Sequence, residues 1–278
     1  MKYLLPITFI ASAFLISCST PKPLSGGEEN TSTEESKEIN IIEGEVTLNL
    51  YSKDKADTVE SSIEYMFYEN TDLPYQDSIN RMVKEYVSSI ATYGEESMTD
   101  NSNLSVEFME SAIDKFAAAY YEEISLYDED DFFGGVWQTE TSVGIYQENP
   151  EFVKVSLNNW DYSGGAHGNS WSEECLVDIK TGQELKLQDF FSNIDVLTAK
   201  AEAIFRADQE IPADTNLEEA GFWFDGGVFH LNENFSFNEN SVDFLYNQYE
   251  IAPYVAGMII ITIPLDEVKH LLKRKVHF

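Results

Sequence analysis

The fold is decided by the stretch that begins Phe152-Val153-Lys154-Val155-Ser156-Leu157-Asn158-Asn159-Trp160, passes through Asp161-Tyr162-Ser163-Gly164-Gly165-Ala166-His167-Gly168 and resumes at Ser170-Trp171-Ser172-Glu173-Glu174-Cys175-Leu176-Val177-Asp178-Ile179. The runs on both sides of the glycines have the character of half-buried strands, and the second alternates apolar with polar residues. Gly164-Gly165 marks a glycine-bulged loop between them. Asp178-Ile179-Lys180-Thr181-Gly182 then reads as a turn, with Gly182 where a positive φ is needed.

Working outward, residues 136–146 form another strand, and Leu185 and Leu187 continue the apolar pattern after the turn. Asp189 is placed to cap a helix over 190–207. Strands follow at 228–237, 241–248 and 257–264, and a last helix covers 265–274. There Lys269, His270, Lys273, Arg274 and Lys275 concentrate cations where the helix macrodipole favours them. Toward the N-terminus, order begins near Glu43, where Val46, Leu48 and Leu50 alternate with polar neighbours, and 59–68 is a second strand. Two amphipathic helices come next, one over 74–93 with Ile79, Val83, Tyr86 and Ile90 on a stripe, the other over 105–126 with Met109, Ile113, Phe116 and Tyr120. The acidic run Asp128-Glu129-Asp130-Asp131 lacks the oxygen spacing and glycine of a calcium loop and reads as a solvated break. The expected fold class is α+β in two units, 43–131 and 135–278, each a mainly antiparallel sheet packed with helices.

The first 18 residues carry Lys2, then 14 mostly apolar residues from Tyr3 to Ile16, then Ser17-Cys18. A span needs about 20 apolar residues, so the segment reads as a secretory signal rather than a membrane helix. Leu15-Ile16-Ser17-Cys18 is similar to a bacterial lipobox, which makes Cys18 the lipidated residue of a mature N-terminus. Residues 19–42, rich in Pro, Ser, Thr, Gly and Glu, are a tether. Cys175 is then the remaining side-chain thiol, and its strand-like surroundings with two adjacent carboxylates suit an inert, packed cysteine. A cell-envelope protein, lipid-anchored to an outer membrane, is the expectation.

With 17 Lys+Arg against 50 Asp+Glu in 278 residues, the formal net charge is −33. Such a charge repels phosphate backbones and anionic lipid, so no nucleic-acid partner is expected, and a cationic partner is the natural complement. Solubility alone is the plainer use of the same charge. His167, His230, His270 and His277 show no metal-binding spacing, so no metal is expected. Gly164-Gly165-Ala166-His167-Gly168 has neither the lysine of a phosphate loop nor a dinucleotide fingerprint, and no cofactor is expected. Asp161, Ser163 and His167 have the residue types of a nucleophilic triad, but triads converge from distant segments, and the chain is not expected to be an enzyme. What stands out is the loop carrying Tyr162, Ser163, Gly164, Gly165 and His167 and a second loop, Tyr249-Glu250-Ile251-Ala252-Pro253-Tyr254-Val255-Ala256-Gly257. Tyrosine beside glycine or proline offers rigid contact area on a shaped backbone, as recognition loops do; core packing of Tyr162 and Tyr254 is the competing account.

Taken in order, Tyr162-Ser163-Gly164-Gly165-Ala166-His167, Asp178-Ile179-Lys180-Thr181-Gly182-Gln183-Glu184-Leu185-Lys186-Leu187-Gln188-Asp189, and Tyr249-Glu250-Ile251-Ala252-Pro253-Tyr254-Val255-Ala256-Gly257 resemble the RsiV-like domain. That domain is the extracytoplasmic part of a lysozyme-sensing anti-sigma factor and also accompanies PdaC-type peptidoglycan deacetylases. The likeness covers about 135–278, and 43–131 is similar to the smaller, PdaC-like domain that precedes it in that family. The resemblance implies binding rather than chemistry, with Ser163, His167, Pro253 and Tyr254 at positions that would contact a lysozyme cleft. No sigma-binding segment or deacetylase domain accompanies it here, so neither activity is expected to carry over. The expected function is a non-enzymatic envelope lipoprotein that binds, and inhibits or senses, a lysozyme-type muramidase. The alternative is a peptidoglycan-binding or cell-wall-enzyme accessory module, in which Trp137, Trp160, Trp171 and Trp223 stack on sugars and Asn158, Asn159 and Asp161 bond hydroxyls.

Overall fold

A computed structural model describes residues 39–51, 58–91, 103–125 and 135–276. The signal segment with Cys18, nearly all of the tether, the acidic run at 128–131 and His277 lie outside the described residues. Strands β1 (Ile41–Tyr51) and β2 (Thr58–Tyr68) pair antiparallel. Helices α1 (Pro74–Ala91) and α2 (Val106–Ile124) follow, then β3 (Val136–Tyr146), β4 (Phe152–Tyr162) and β5 (Asn169–Asp178). All five strands join one sheet in the order β1-β2-β3-β4-β5. β3 lies parallel to β2, and such a pair needs a long crossover, which α1 and α2 supply.

The sheet therefore runs across the 131/135 boundary read from the sequence. Two helices followed by new strands look like the end of one unit, because side-chain patterns do not reveal which strand a later one will pair with. The helix-facing side of the sheet presents Ile63, Phe67, Val143, Val155, Leu157, Cys175 and Val177 to Ile79, Val83 and Val87 of α1 and to Met109 and Ile113 of α2. Ser105 caps α2 by accepting a hydrogen bond from the Phe108 N–H at 3.2 Å.

The second unit is a three-stranded antiparallel sheet of β6 (Phe235–Phe237), β7 (Ser241–Tyr246) and β8 (Ile259–Pro264), so the architecture is mixed α+β in two units. Its core is aromatic, with Phe190, Phe191, Phe205, Phe224, Phe235, Phe237, Phe244 and Tyr246 buried together. Phe152 of β4 and Leu176 of β5 join that core. They lie on the opposite side of the sheet from Val153 and Cys175, so the second unit packs on the far face of β4 and β5.

The outer edge of β5 would expose unpaired backbone groups, an invitation to aggregation. Amide side chains occupy them instead. Gln248 Oε1 accepts from the Ser170 N–H at 2.7 Å, Asn247 Oδ1 from the Ser172 N–H at 2.7 Å, and Asn234 Oδ1 from the Glu174 N–H at 2.9 Å. The Asn247 and Asn234 amide nitrogens both return hydrogen bonds to the Ser172 carbonyl. Further along, the Leu185 N–H donates to the Leu176 carbonyl at 2.7 Å.

Five sequence expectations are corrected. The helix read over 190–207 is two pieces, a single turn α3 (Leu187–Phe190) and α4 (Ile194–Asp208), because Phe191 peels away to pair with Leu272. Asn193, not Asp189, caps α4, while Asp189 Oδ2 accepts from the Lys186 N–H at 2.8 Å. The strand read over 228–237 shrinks to β6. The final helix is one turn, α5 (Leu265–Val268), and a 3-10 turn at Lys269–Leu271. The cations beyond it bind elsewhere in the fold rather than at this helix's end, with Arg274 Nη1 2.9 Å from Asp178 Oδ2 and Lys273 Nζ 2.7 Å from the carbonyl of Gln188 in α3.

Candidate binding surface

Two loops that are far apart in sequence meet through their rings. The first joins β4 to β5, where Gly164 (φ 99°) and Gly165 (φ 91°) adopt conformations that other residues rarely reach. The Tyr162 hydroxyl donates to the Gly165 carbonyl at 3.0 Å and closes this loop from within. Gly168 is required for a different reason: a Cβ there would sit 2.7 Å from the Trp160 indole.

The second loop runs from the end of β7 to the start of β8. The Asn247 N–H donates to Glu250 Oε2 at 2.7 Å, and Glu250 Oε1 accepts from Asn232 Nδ2 at 2.8 Å. Between these anchors Tyr249 has φ 64°, a left-handed conformation that costs a side-chain-bearing residue about 1–2 kcal/mol. Pro253 then leads into a 3-10 turn at Tyr254–Ala256, which leaves Val255 93% exposed at the tip.

The rings from the two loops pack on each other. His167 stacks on Tyr254 with centroids 3.6 Å apart and planes 15° apart. The Tyr249 hydroxyl lies 3.3 Å from His167 Nε2, and His167 Nδ1 lies 3.0 Å from the Gly168 carbonyl. A carbonyl can only accept, so Nδ1 donates to it, and Nε2 is the ring nitrogen turned toward the Tyr249 hydroxyl. Trp223 extends the cluster, its ring nearly parallel to Tyr249 at 6.5 Å, and its backbone N–H donates to the Ile251 carbonyl at 2.8 Å. Tyr249 and Trp223 are each 49% exposed, so the rings form an open platform rather than a core.

The sequence-derived residues fall as follows. Ser163, Gly164, Gly165, His167 and Pro253 are exposed, while Tyr162 and Tyr254 are half-buried within the loops and outside the apolar cores. The two loops converge through His167 and Tyr254. Asp161, Ser163 and His167 have no mutual hydrogen bond among those of the described residues; Asp161 instead accepts from Asn159 Nδ2 at 3.4 Å, and burial pushes its carboxyl up. Cys175 is buried in the helix-side core, and burial together with the Glu173 and Glu184 carboxylates pushes its thiol up. The four tryptophans do not act together. Trp137 packs on Phe116 and Tyr120, Trp223 joins the platform, and Trp160 and Trp171 line a neighbouring groove. The part of Tyr249 was missed as a single residue, although it opens the Tyr-Glu-Ile-Ala-Pro-Tyr segment; its left-handed backbone has no signal in sequence.

A family model described as a protein of unknown function, DUF3298, matches residues 188–266, which contain the second loop and most of the three-stranded unit. A DUF3298 family member from Bacteroides fragilis has a similar solved structure, with TM-score 0.66 and 21% identity over 85% of this chain and 94% of that one. A DUF3298 family protein from Pseudomonas aeruginosa aligns with TM-score 0.54 and 16% identity, covering 85% of this chain and 95% of that one. At these identities the likeness is one of fold. No curated protein matches the chain. Among the described residues no helix is long and apolar enough to cross a membrane.

Proposed function

We propose that the protein is a non-enzymatic envelope lipoprotein whose aromatic platform binds a lysozyme-type muramidase and blocks or senses it. One observation carries the reading: Tyr249, His167, Tyr254 and Trp223 are locked into an exposed cluster with Val255 projecting beside it. Rigid aromatics that lose little side-chain freedom on binding are typical anchors of protein interfaces, and a lone apolar tip suits insertion into a cleft. The resemblance of the two loop segments to the RsiV-like domain supports a lysozyme as the partner, and the lipobox-like Leu15-Ile16-Ser17-Cys18 supports a lipid anchor at Cys18. The net charge of −33 steers a cationic partner toward the surface, an effect that fades beyond a Debye length of about 8 Å at physiological salt.

The test is a titration with a cationic lysozyme at rising salt, with cytochrome c as a control that offers similar charge and no comparable cleft. Binding of lysozyme should weaken with salt yet persist at moderate ionic strength, while cytochrome c is lost. Equal binding of the two proteins at every salt concentration would reduce the interaction to charge and end the proposal.

A further inference from the structure

The face of the five-stranded sheet turned away from α1 and α2 is covered by the second unit only in part. Beyond that cover, two neighbouring rungs of side chains cross four strands. The register places Ser62, Glu140, Trp160 and Ser170 opposite one another in one rung. The next rung holds Glu64, Ser142, Asn158 and Ser172. Side chains at alternate positions, such as Ile63, Val143 and Leu157, go into the helix-side core, so both rungs lie on the free face. With strands about 4.8 Å apart, each rung spans about 14 Å. Together they floor an open groove of about 420 Å³, within the usual range of about 300–1,000 Å³ for ligand sites. Trp171 and Met258 also line it.

We infer that this groove is a saccharide site, taking an uncharged or amine-bearing oligosaccharide. The lining has the chemistry of sugar recognition. Hydroxyls and an amide are already oriented, with the Ser172 hydroxyl donating to Asn158 Oδ1 at 2.5 Å and Asn158 Nδ2 3.5 Å from Ser142 Oγ. Glu64 and Glu140 add carboxylates that accept from sugar hydroxyls or pair with a sugar ammonium. Trp160, in phase with Glu140 and Ser170 on the free face, supplies an indole surface on which a pyranose C–H face packs. Among the described residues no cation lines the groove, which disfavours phosphorylated, sulfated or uronic ligands, and the polar floor is a poor host for lipid. Through Trp160, packed against Gly168, the groove abuts the platform, so the two surfaces are neighbours but use different side chains.

The experiment follows tryptophan fluorescence and heat on titrating the protein with a β-1,4-linked N-acetylglucosamine tetramer, its de-N-acetylated counterpart and a sulfated oligosaccharide of similar length. The first two should bind saturably and the third should not. Trp160→Ala should weaken both by at least about fivefold, the scale of one lost stacking contact. Glu140→Gln, an exposed change that leaves the fold alone, should weaken the amine-bearing tetramer more than the acetylated one. Tyr254→Ala should leave sugar binding as it was, which separates this site from the platform and its fate from that of the muramidase proposal. The inference is overturned if neither tetramer binds, if the sulfated chain binds as well as they do, or if Glu140→Gln and Trp160→Ala both bind like the parent.

Discussion

The second unit uses aromatic residues in two opposite ways. Phe190, Phe205, Phe224, Phe235 and Phe244 are almost fully buried and meet mostly in edge-on or tilted pairs, such as Phe190 and Phe235 at 5.7 Å and 84°. Trp223, Tyr249 and Tyr254 lie at the edge of the same unit, met there by His167 from the β4–β5 loop, with much of their surface in water. The buried set is held by the removal of apolar area and needs no polar help. The exposed set has little area to hide, so its position comes from backbone devices: Gly164-Gly165, the Glu250 anchors and the left-handed Tyr249. The difference teaches where to look for function, because rings fixed by polar scaffolding at the surface bury little apolar area and are the natural candidates for contact with a partner.

The sharpest way to break that comparison is to remove a ring from the buried set. Phe244→Ala should cost about 3–5 kcal/mol, the usual range for an emptied phenylalanine site. Urea unfolding followed by circular dichroism would register it, and a loss under 1 kcal/mol would mean that the aromatic core is not what holds this unit.

A smaller effect is expected where the second unit's C-terminal tail is tied to β5. Burial by itself would raise the Asp178 carboxyl, but the hydrogen bond from Arg274 and those from Thr181 and Lys180 outweigh it and leave it below the ordinary aspartate range. A carboxyl held down in the folded state stabilises in full above its unfolded value of about 3.9 and loses that contribution as pH falls through the lower native value. Asp178→Asn should therefore cost about 1.5–3 kcal/mol near neutral pH, with the gap to the parent closing below about pH 4. Thermal melts across pH check this; a gap that persists unchanged in acid would show that shape, not charge, accounts for the loss.

Much of the helix-side unit was legible in the sequence. The 3.6-residue stripes of α1 and α2 and the strand-like patterns of β2 to β5 each announce a local element, because periodicity is a local property. Pairing is not local, and so the parallel contact of β2 with β3 went unread. Asn234, Asn247 and Gln248 look like turn residues in a sequence, and nothing there says that their amides will finish the edge of β5. The two exposed loops were legible as tyrosine beside glycine and proline. Their convergence was not, since His167 and Tyr254 are brought together by the docking of one unit on the other.

The most direct test of the platform's role sets stability against binding in one variant. Tyr254→Ala should change unfolding stability by less than about 1 kcal/mol, a shift of no more than about 2–4 °C in Tm for a chain of this size. In the same preparation its affinity for a cationic lysozyme should fall by at least tenfold, and the ratio to the parent should hold as salt rises, because packing of a ring is not screened. An affinity equal to the parent's in a folded variant, or a loss that vanishes at high salt, would contradict the claim that the exposed rings are the anchor.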